Sequence, residues 1–414
     1  MYKKFWLETI YALFFILALA FLVTRVTAFN IFDVFDPIGE VFSDMESTDI
    51  VFSHLREDPV AEENLIIVNI GDLPRAGIAD LVNIVNSANP KVIGMDMLFR
   101  NPKEDTLGDL KLSDALSRVE NLIMYSKLIN EDDDDDFDTL LVSHPSLFNY
   151  GETAFVNFIT GAADQDDLKM CRQFAVREYV NGEEELAFAV KLAQYMDPEK
   201  VDRFLARGNN IETINYRGSI FDYGATNSPI AYYALDWYQV LNMEFAPDLI
   251  QDKAVIFCYL GSELGDRKTN DDVYFTPLNK NYVGKTHADM FGGVVHANVF
   301  SMIMAEDYID EMDDNFAYLL ALVILYLNIV LFTVIYKVVP RWYDGLTKLT
   351  QLIEAGAIFT LSLVIFIYFN YKVDVTLSIV AVLIAGDALE VFFGVFVNLF
   401  TKEGRKELRE LKKL

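Results

Sequence analysis

The sequence lacks the short motifs that carry the commonest enzyme chemistries. It contains no G-x-x-x-x-G-K-[ST] phosphate loop, no H-E-x-x-H metal pair and no G-x-S-x-G nucleophile turn, and its 21 glycines form no dinucleotide-binding fingerprint. These absences argue against a P-loop nucleotide hydrolase, a zinc protease of that type and an α/β-hydrolase. We therefore expect a non-enzymatic protein with no catalytic residues and no cofactor.

Histidine and cysteine are also scarce, with four and two residues. His287 and His296 lie near several aspartates, but their separation fits neither one helix face nor a compact metal loop, so we predict no metal site. We expect His296 instead to make a hydrogen bond at the base of its domain. Cys171 and Cys258 can form a disulfide in an oxidising compartment, but Cys258 lies in the apolar run 254–260, where a buried free thiol is commoner.

Apolar residues are abundant, at 52% of the chain, and the mean hydropathy of +0.21 is high for a soluble enzyme. Four windows have the length and composition of a helix that crosses about 30 Å of hydrocarbon, at residues 5–23, 316–336, 352–369 and 375–400. Residues 26–28 faintly resemble a signal-peptide cleavage site, but the first window is long for a signal peptide. We favour an uncleaved anchor.

Positive charge indicates how these helices are threaded, because Lys and Arg near the ends of a membrane helix favour the cytoplasmic side. Basic residues precede the first window, occupy the loop between the second and third windows, and follow the fourth, at Lys3, Lys4, Lys337, Arg341, Lys348 and six positions between 402 and 413. With four crossings these segments lie on one side. We therefore predict cytoplasmic N- and C-termini and a large segment, 28–314, outside the cytoplasm.

That segment is strongly acidic. Residues 28–314 carry 21 of the 34 Lys and Arg residues and 53 of the 62 Asp and Glu residues, a net charge of −32, whereas the remainder carries +4. Such a surface repels nucleic acid and anionic lipid head groups, so we expect neither as a ligand. The acidic run 131–138 lacks the glycine and the spaced ligands of a calcium loop, which indicates a solvated loop.

The acidic segment contains a β-α-β pattern. Apolar runs at 65–72 and 91–96 each end in Asp, and residues 75–89 between them place apolar side chains at helical spacing, at Ile78, Leu81, Val82 and Val85. Continuous Val, Ile and Leu runs are typical of parallel strands buried on both faces. We therefore predict an α/β fold with a mixed or doubly wound sheet, plus a four-helix transmembrane region.

The same criteria predict further elements along the chain. Helical spacing marks residues 103–117, 184–196, 235–243 and 292–304, and strand-like runs occupy residues 121–125, 153–158, 173–180, 212–217 and 254–260. Residues 262–291 have the composition of turns and loops.

Asp72 and Asp96 follow the two strands of the β-α-β pattern, which we expect to be adjacent, and Arg75 lies close to the first acid. Ligands of open α/β sheets bind at the carboxyl ends of the strands, so these three residues are candidates for ligand binding. The alternative is structural, in which the acids cap the following helix or pair with Arg75.

The third and fourth membrane windows contain three acidic residues. Asp387 and Glu390 share one face of the fourth helix, and Glu354 lies about a turn inside the third. A charge in the membrane costs about 3 kcal/mol, so such groups normally face protein, take up protons or bind a basic partner helix. With Gly386 and Gly394, which permit close helix packing, they predict a surface for a partner or for assembly, the alternative being hydrogen bonds within the bundle.

Six motifs of the acidic segment form a recognisable set, at 66–72 with Arg75, 90–99, 164–172, 255–261 with Asp266, Thr276-Pro277 and 293–297. This set resembles the CHASE2 family, an extracytoplasmic sensory domain of bacterial signalling proteins, over most of residues 30–310. Such proteins have one membrane helix before the domain and three after it, the order deduced here from hydropathy. The resemblance implies a sensory domain in the periplasm, on a multi-pass protein of the bacterial inner (plasma) membrane.

These inferences divide the chain into an anchor at 1–27, an extracytoplasmic domain at 28–314, three membrane helices within 315–400 (about 315–337, 351–370 and 374–400) and a basic tail at 401–414. Family members commonly carry an enzymatic output domain after the last helix, whereas here we expect output through another membrane or cytoplasmic protein, with a homo-oligomer also open. The tail can lie on lipid or dock on protein. The alternative function is a structural subunit whose external domain is a docking platform.

The predicted threading can be tested with reporters fused at two positions. We expect green fluorescent protein after Leu414 to be fluorescent and alkaline phosphatase there to be inactive, because both results require a cytoplasmic C-terminus. Alkaline phosphatase inserted in the acidic run 131–138 should be active. The reverse pattern would contradict the threading.

Overall fold

The computed structural model describes residues 2–25, 47–55, 60, 62–130, 137–160, 170–221, 230–266, 272–279 and 287–397. Most of the acidic run, most of the 164–172 motif and the whole basic tail lie outside these residues. The chain divides into two compact units. The sheet unit is Asp44–Ile309, and the helical unit combines Met1–Ser43 with Asp310–Leu414.

The α-helices of the described residues are α1 (Tyr2–Arg25), α2 (Ser47–Ile50), α3 (Arg75–Ser87), α4 (Thr106–Ser117), α5 (Pro145–Phe148), α6 (Phe188–Met196), α7 (Pro198–Leu205), α8 (Trp237–Leu241), α9 (Gly292–Ala305), α10 (Asp314–Val338), α11 (Tyr343–Phe369) and α12 (Thr376–Val391). π-helical turns follow α2 and α12 at Val51–Leu55 and Phe392–Val397, and 3₁₀ turns occupy Pro247–Leu249 and Pro340–Trp342.

The strands of the described residues are β1 (Leu65–Asn69), β2 (Val92–Met95), β3 (Leu122–Ile129), β4 (Thr139–Val142), β5 (Glu152–Phe155), β6 (Ile159–Thr160), β7 (Cys171–Ala175), β8 (Arg177–Val180), β9 (Glu183–Leu186), β10 (Ile211–Thr213), β11 (Tyr233–Leu235), β12 (Ala254–Cys258), β13 (Val273–Tyr274), β14 (Met290–Phe291), β15 (Asp310–Glu311) and β16 (Tyr371–Lys372).

The central sheet of the sheet unit has the order β11-β1-β12-β2-β3. These strands are parallel, and β3 also pairs with β5 in parallel and with β4 in antiparallel orientation, so the sheet is mixed as predicted. Smaller sheets are β10-β7-β6, β8-β9 and β13-β14. The expected adjacency of β1 and β2 is wrong, because β12 comes from far along the chain and pairs with both.

Helices cover both faces of this sheet. Ile93 and Met95 of β2 join the core formed with α3 and α4, whereas Gly94 between them faces α6, where an added Cβ would lie 2.6 Å from the Phe188 ring and 3.1 Å from Leu192. The alternation follows from the two-residue period of a strand. Because both faces are buried, the strands are apolar throughout, and the predicted α/β class is confirmed.

Two predicted elements are wrong in part. The helix predicted at 184–196 begins only at Phe188, because residues 183–186 form β9 and pair with β8. The strand predicted at 173–180 is two strands, β7 and β8, in different sheets. Asn181 and Gly182, both with positive φ, turn the chain between β8 and β9, and Asn-Gly is a strong hairpin signal that the helical pattern of the following residues obscured.

Among the described residues four helices are long and apolar enough to cross a membrane, over Lys4–Phe21, Asp314–Val338, Pro340–Phe369 and Thr376–Val397, which confirms the four predicted windows by length and composition. Within the helical unit, α1, α10 and α12 share an apolar core. Polar contacts join α11 to α12: the Tyr343 hydroxyl donates to the Gly386 carbonyl (2.9 Å), and Gln351 Nε2 donates to the carbonyls of Val382 (3.0 Å) and Leu383 (2.8 Å).

A buried ion pair connects α3 to α4. Arg75 Nη1 donates to Asp109 Oδ1 (2.5 Å), and the guanidinium lies 5.5 Å from the Phe99 ring centre and 5.1 Å from that of Phe148. Burial by itself raises the pKa of Asp109, but hydrogen bonds from Arg75 and the Lys103 amide outweigh it and lower the pKa. The pair therefore stabilises the fold above the usual aspartate pKa of 3.8, and this is lost as the pH falls through the lowered pKa.

We expect Arg75→Met to lower the melting temperature of the full-length protein by about 6–12 °C at pH 7, because removing one partner of a buried pair costs about 3 kcal/mol. Arg118→Met is the matched control, since Arg118 pairs with Asp114 on the exposed surface of α4, where a pair contributes about 0.5 kcal/mol. Intrinsic fluorescence in detergent measures both. Equal shifts would contradict the assignment of stability to the buried pair.

Candidate functional site

A cavity of about 460 Å³ lies where β2, β3, β5 and β12 end or pass beyond their neighbours. Its wall is completed by the first turns of α9, and the lining residues are Asp96, Tyr125, Lys127, Val156, Asn157, Phe158, Thr160, Tyr259, Asp272, Tyr274, Gly292 and His296. The carboxyl edge of an open α/β sheet is where such folds bind ligands, and the volume is typical of small-molecule sites.

Two carboxylates approach the first turn of α9. A Cβ added at Gly292 would lie 2.6 Å from Asp272 Oδ2, and one added at Gly293 would lie 3.6 Å from Asp96 Oδ2 and only 2.3 Å from Cys258 Sγ. The absence of a side chain at Gly293 therefore lets α9 approach Cys258 of β12, and its absence at Gly292 lets Asp272 approach the helix, whereas Asp96 lies at an ordinary contact distance. Burial, and then the neighbouring Asp272 charge, raise the pKa of Asp96 well above its usual range.

His296 is held in the wall between two phenylalanines. Its ring centre lies 4.4 Å from that of Phe158 and 5.1 Å from that of Phe188, and the side chain is 4% exposed. Burial lowers its pKa to about 3, so the imidazole is neutral. Within the described residues neither ring nitrogen makes a hydrogen bond, so the expected hydrogen bond at the domain base is not formed and the nitrogens are available to a bound molecule.

Tyrosines form much of the remaining wall. Burial and then the charges of Asp96 and Asp272 raise the pKa of Tyr125 to about 12. Burial and the same two acids raise the pKa of Tyr274, whose ring centre lies 5.1 Å from that of Phe158. Both phenols therefore stay protonated at neutral pH, and the Tyr274 hydroxyl donates a hydrogen bond to Asp272.

The neighbouring edge of the sheet, at the end of β1, is closed by a buried polar network. Asn69 Nδ2 donates to Asp236 Oδ1 (2.9 Å) and to the Gly261 carbonyl (3.1 Å), while its Oδ1 accepts from the amides of Gly71 (3.1 Å) and Leu260 (2.9 Å). These contacts use the polar groups of Asn69 within the fold. The cavity therefore lies beside β2 and not beside β1.

The three predicted ligand residues are not brought together. Asp96 lines the cavity, whereas Asp72 is exposed and does not line it, and Arg75 is committed to Asp109. The structural alternative also fails in detail, because Arg75 pairs with neither predicted acid and the N-cap position of α3 is Pro74, without a side-chain cap. The sequence missed Tyr125, Asp272, Tyr274 and the open side of His296, which no local motif marks.

The membrane candidates take different positions. Asp387 is exposed and pairs with Lys348 Nζ at 2.5 and 2.7 Å, Glu390 is exposed, and Glu354 is partly buried. Gly386 lies inside the bundle, where an added Cβ would be 2.9 Å from Gln351 Nε2, so it serves packing within the chain. A Cβ at Gly394 would meet no atom within 4 Å.

Among the described residues, the two cysteines form no disulfide and the possible metal ligands form no metal centre. Cys171 and Cys258 are buried free thiols, as the apolar run around Cys258 favours. In the part of the chain that the structure describes, no group of three or more His, Cys, Asp or Glu side chains can hold a metal ion. The cavity therefore offers two carboxylates, a neutral imidazole and aromatic faces.

Comparison with protein families connects this geometry to a known class. The family sequence model of the CHASE2 domain matches residues 25–336 of this chain. The chain belongs to the CHASE2 family. No curated protein and no solved structure gives a significant match. A CHASE2 domain is an extracytoplasmic sensory domain, so the cavity belongs to a sensory domain on a chain with four candidate membrane helices.

The neutral His296 predicts a specific dependence of CHASE2 stability on pH. The folded protein keeps the ring neutral down to about pH 3, whereas the unfolded chain protonates it near 6.5, so this residue costs stability as the pH falls from 6.5. We expect His296→Phe to remove that cost, by up to about 1.4 kcal/mol per pH unit, or about 3–5 °C.

Melting curves of the two proteins between pH 7 and pH 4 measure this difference. His287→Phe is the control, because His287 is exposed in the same part of the chain. A constant gap between wild type and His296→Phe across this range would show that the ring is not held neutral.

Proposed function

We propose that this chain is a non-enzymatic membrane sensor whose CHASE2 domain lies outside the cytoplasm, binds a small ligand in the strand-end cavity and relays the event through its membrane helices to a partner protein. One observation carries the proposal: α9 forms a wall of the cavity at Gly292 and His296 and continues along the chain toward α10. A ligand that contacts the cavity therefore contacts the helix that leads to the membrane segment.

The segment between α9 and α10 is short, and residues 307–310 within it make contacts inside the sheet unit or inside the helical unit. Asp307 is held in the sheet unit, where its carbonyl accepts from Asn215 Nδ2 (2.9 Å), and the next residue, Tyr308, packs on Phe204 with ring centres 5.3 Å apart. Ile309 is buried. The following residue already belongs to the helical unit, in which Asp310 begins β15 and its amide donates to the Asn370 carbonyl (2.9 Å).

This arrangement supports transmission along the backbone. A free linker would absorb a small displacement of α9, whereas bonded residues on both sides of the boundary pass it on. Because β15 pairs with β16 between α11 and α12, a displacement at residues 310–311 bears on two membrane helices besides α10. Proteins amplify such shifts when packed elements have two discrete arrangements.

Charge supports the proposed orientation. The acidic segment carries −32, and the basic residues cluster at both chain ends and in the loop between α10 and α11. Because Lys and Arg near membrane helices favour the cytoplasmic side, this distribution supports cytoplasmic termini and an external domain, which we propose for the inner (plasma) membrane of a bacterium.

Exposed acids on the membrane helices support a partner. Asp387 is 63% exposed although it pairs with Lys348, and Glu390 lies one turn further along the same face. Exposed carboxylates within an apolar helix are unfavourable against lipid. A basic residue on a neighbouring membrane helix would compensate their charge.

Copurification from native membranes in mild detergent, read by mass spectrometry, tests the proposal. We expect a second protein, or a second copy of this chain, in fixed stoichiometry. A constant partner together with a domain that no small molecule stabilises would favour the docking-platform alternative. The chain recovered alone from gently solubilised membranes would contradict both.

We expect Asp387→Asn with Glu390→Gln to reduce partner recovery by about ten-fold, the effect of one lost charge-assisted contact, while the chain still inserts. Lys348→Gln separates the two explanations, because it breaks the pair within the chain but leaves both acids for the partner. Asp344→Asn, an exposed acid at the start of α11, is the control. Unchanged recovery from the double variant would remove these acids from the proposal.

A further inference from the structure

We infer that the cavity beside α9 recognises a small organic ammonium ion, held between the carboxylates of Asp96 and Asp272 and against the surrounding aromatic rings. This inference rests on the proposed function and specifies the chemical class of its ligand.

The sign of the charge follows from the acids. Asp96 and Asp272 line one cavity and lie beside consecutive glycines of the same helical turn. Among the described residues Asp96 forms no ion pair with Lys or Arg. The partial positive charge of the α9 N-terminus is already next to these carboxyl groups, so an anionic ligand would meet the charge of Asp272 and the acceptor oxygens of Asp96 at the position that would otherwise attract it.

The organic nature of the cation follows from the rest of the wall. Calcium takes six to eight oxygen ligands, as a rule, and two carboxylates with aromatic neighbours do not supply them. The aromatic side chains of Tyr125, Phe158 and Tyr274 line the cavity and suit an alkylammonium group, which combines a charge with an apolar body. The cavity volume of about 460 Å³ accommodates a molecule as large as an amino acid or a short diamine.

His296 is the independent sign of a ligand. It is a polar side chain that is 4% exposed, it lines the cavity, and within the described residues its ring nitrogens have no hydrogen-bond partner. A neutral imidazole accepts a hydrogen bond from an ammonium N–H at one nitrogen and donates at the other. Buried polar groups are rarely left without partners, so an N–H donor in the cavity satisfies a requirement that the fold leaves open.

Lys127 distinguishes two classes of ligand that carry an ammonium group, an amino acid and a diamine. It lines the cavity, is exposed and carries a positive charge. A zwitterionic amino acid can place its carboxylate near Lys127, whereas a diamine cannot use that contact. Both ligands would use Asp96 and Asp272 in the same way.

The experiment measures binding to the full-length protein in nanodiscs by calorimetry and by melting temperature. The probes are putrescine, L-alanine and choline at constant ionic strength, with acetate and sodium chloride as the anionic and ionic-strength controls. We expect a primary ammonium probe to bind and to raise the melting temperature, and choline, which has no N–H, to bind more weakly. Preference for L-alanine that Lys127→Gln abolishes would indicate an amino acid, and preference for putrescine a diamine.

Variants assign the binding to this cavity. Asp96→Asn and His296→Phe should each weaken binding by about ten-fold or more, since a hydrogen bond to a charged group is lost. Asp72→Asn is the matched control, because it removes an exposed aspartate after another parallel strand. If Asp96→Asn does not fold, Asp272→Asn carries the test, as Asp272 is exposed at the cavity.

Three results would overturn the inference: no binding of either primary ammonium probe, equal stabilisation by sodium chloride, or binding that survives both aspartate variants. Stronger binding of acetate than of the amines would also overturn it. The proposed function fails separately, since partner recovery and its dependence on Asp387 and Glu390 are measured without any ligand.

Discussion

The close approach of α9 to the sheet is the constraint on which the rest of the CHASE2 domain depends. Gly292 and Gly293 open the helix with no side chains, and the Asp272 carboxylate and Cys258 Sγ occupy the space that side chains at these two positions would fill. Residues 292–303 are buried all round the helix, which is why the sequence there is apolar on every face. An outward movement of α9 would therefore open the cavity and at the same time expose the buried surface of residues 292–303.

This constraint explains the chemistry of the site. Gly292 admits the Asp272 carboxylate where an ordinary helix start would place a side chain, and the partial positive charge of the helix N-terminus stabilises the negative charge of that acid. Burial raises the pKa of Asp96 and lowers that of His296. The same burial that fixes the position of α9 therefore leaves the cavity with polar groups that only a polar, positively charged molecule can match.

Two strand ends at one edge of the sheet illustrate how packing selects one of several equivalent positions. Both β1 and β2 end in polar residues at the same edge of the sheet, and the pattern of residues gives no reason to prefer either. The end of β1 is closed because Asn69 is bonded to Asp236 and to the backbone around Gly261, residues brought there from far along the chain. The end of β2 is open, and Asp96 there lines the cavity.

The sequence by itself determined the α/β class, the four apolar helices, the strands β1, β2, β3 and β12, and the family, because hydrophobic periodicity and short motifs are local properties of the chain. It also selected Asp96, since an acid at the end of a buried strand is visible in the sequence. Only the tertiary structure decided that β12 separates β1 from β2, that Arg75 belongs to Asp109, and that Asp272, Tyr125 and His296 join Asp96 around one cavity. These are contacts between residues far apart in the chain, and no local pattern specifies which distant segment will complete a strand end.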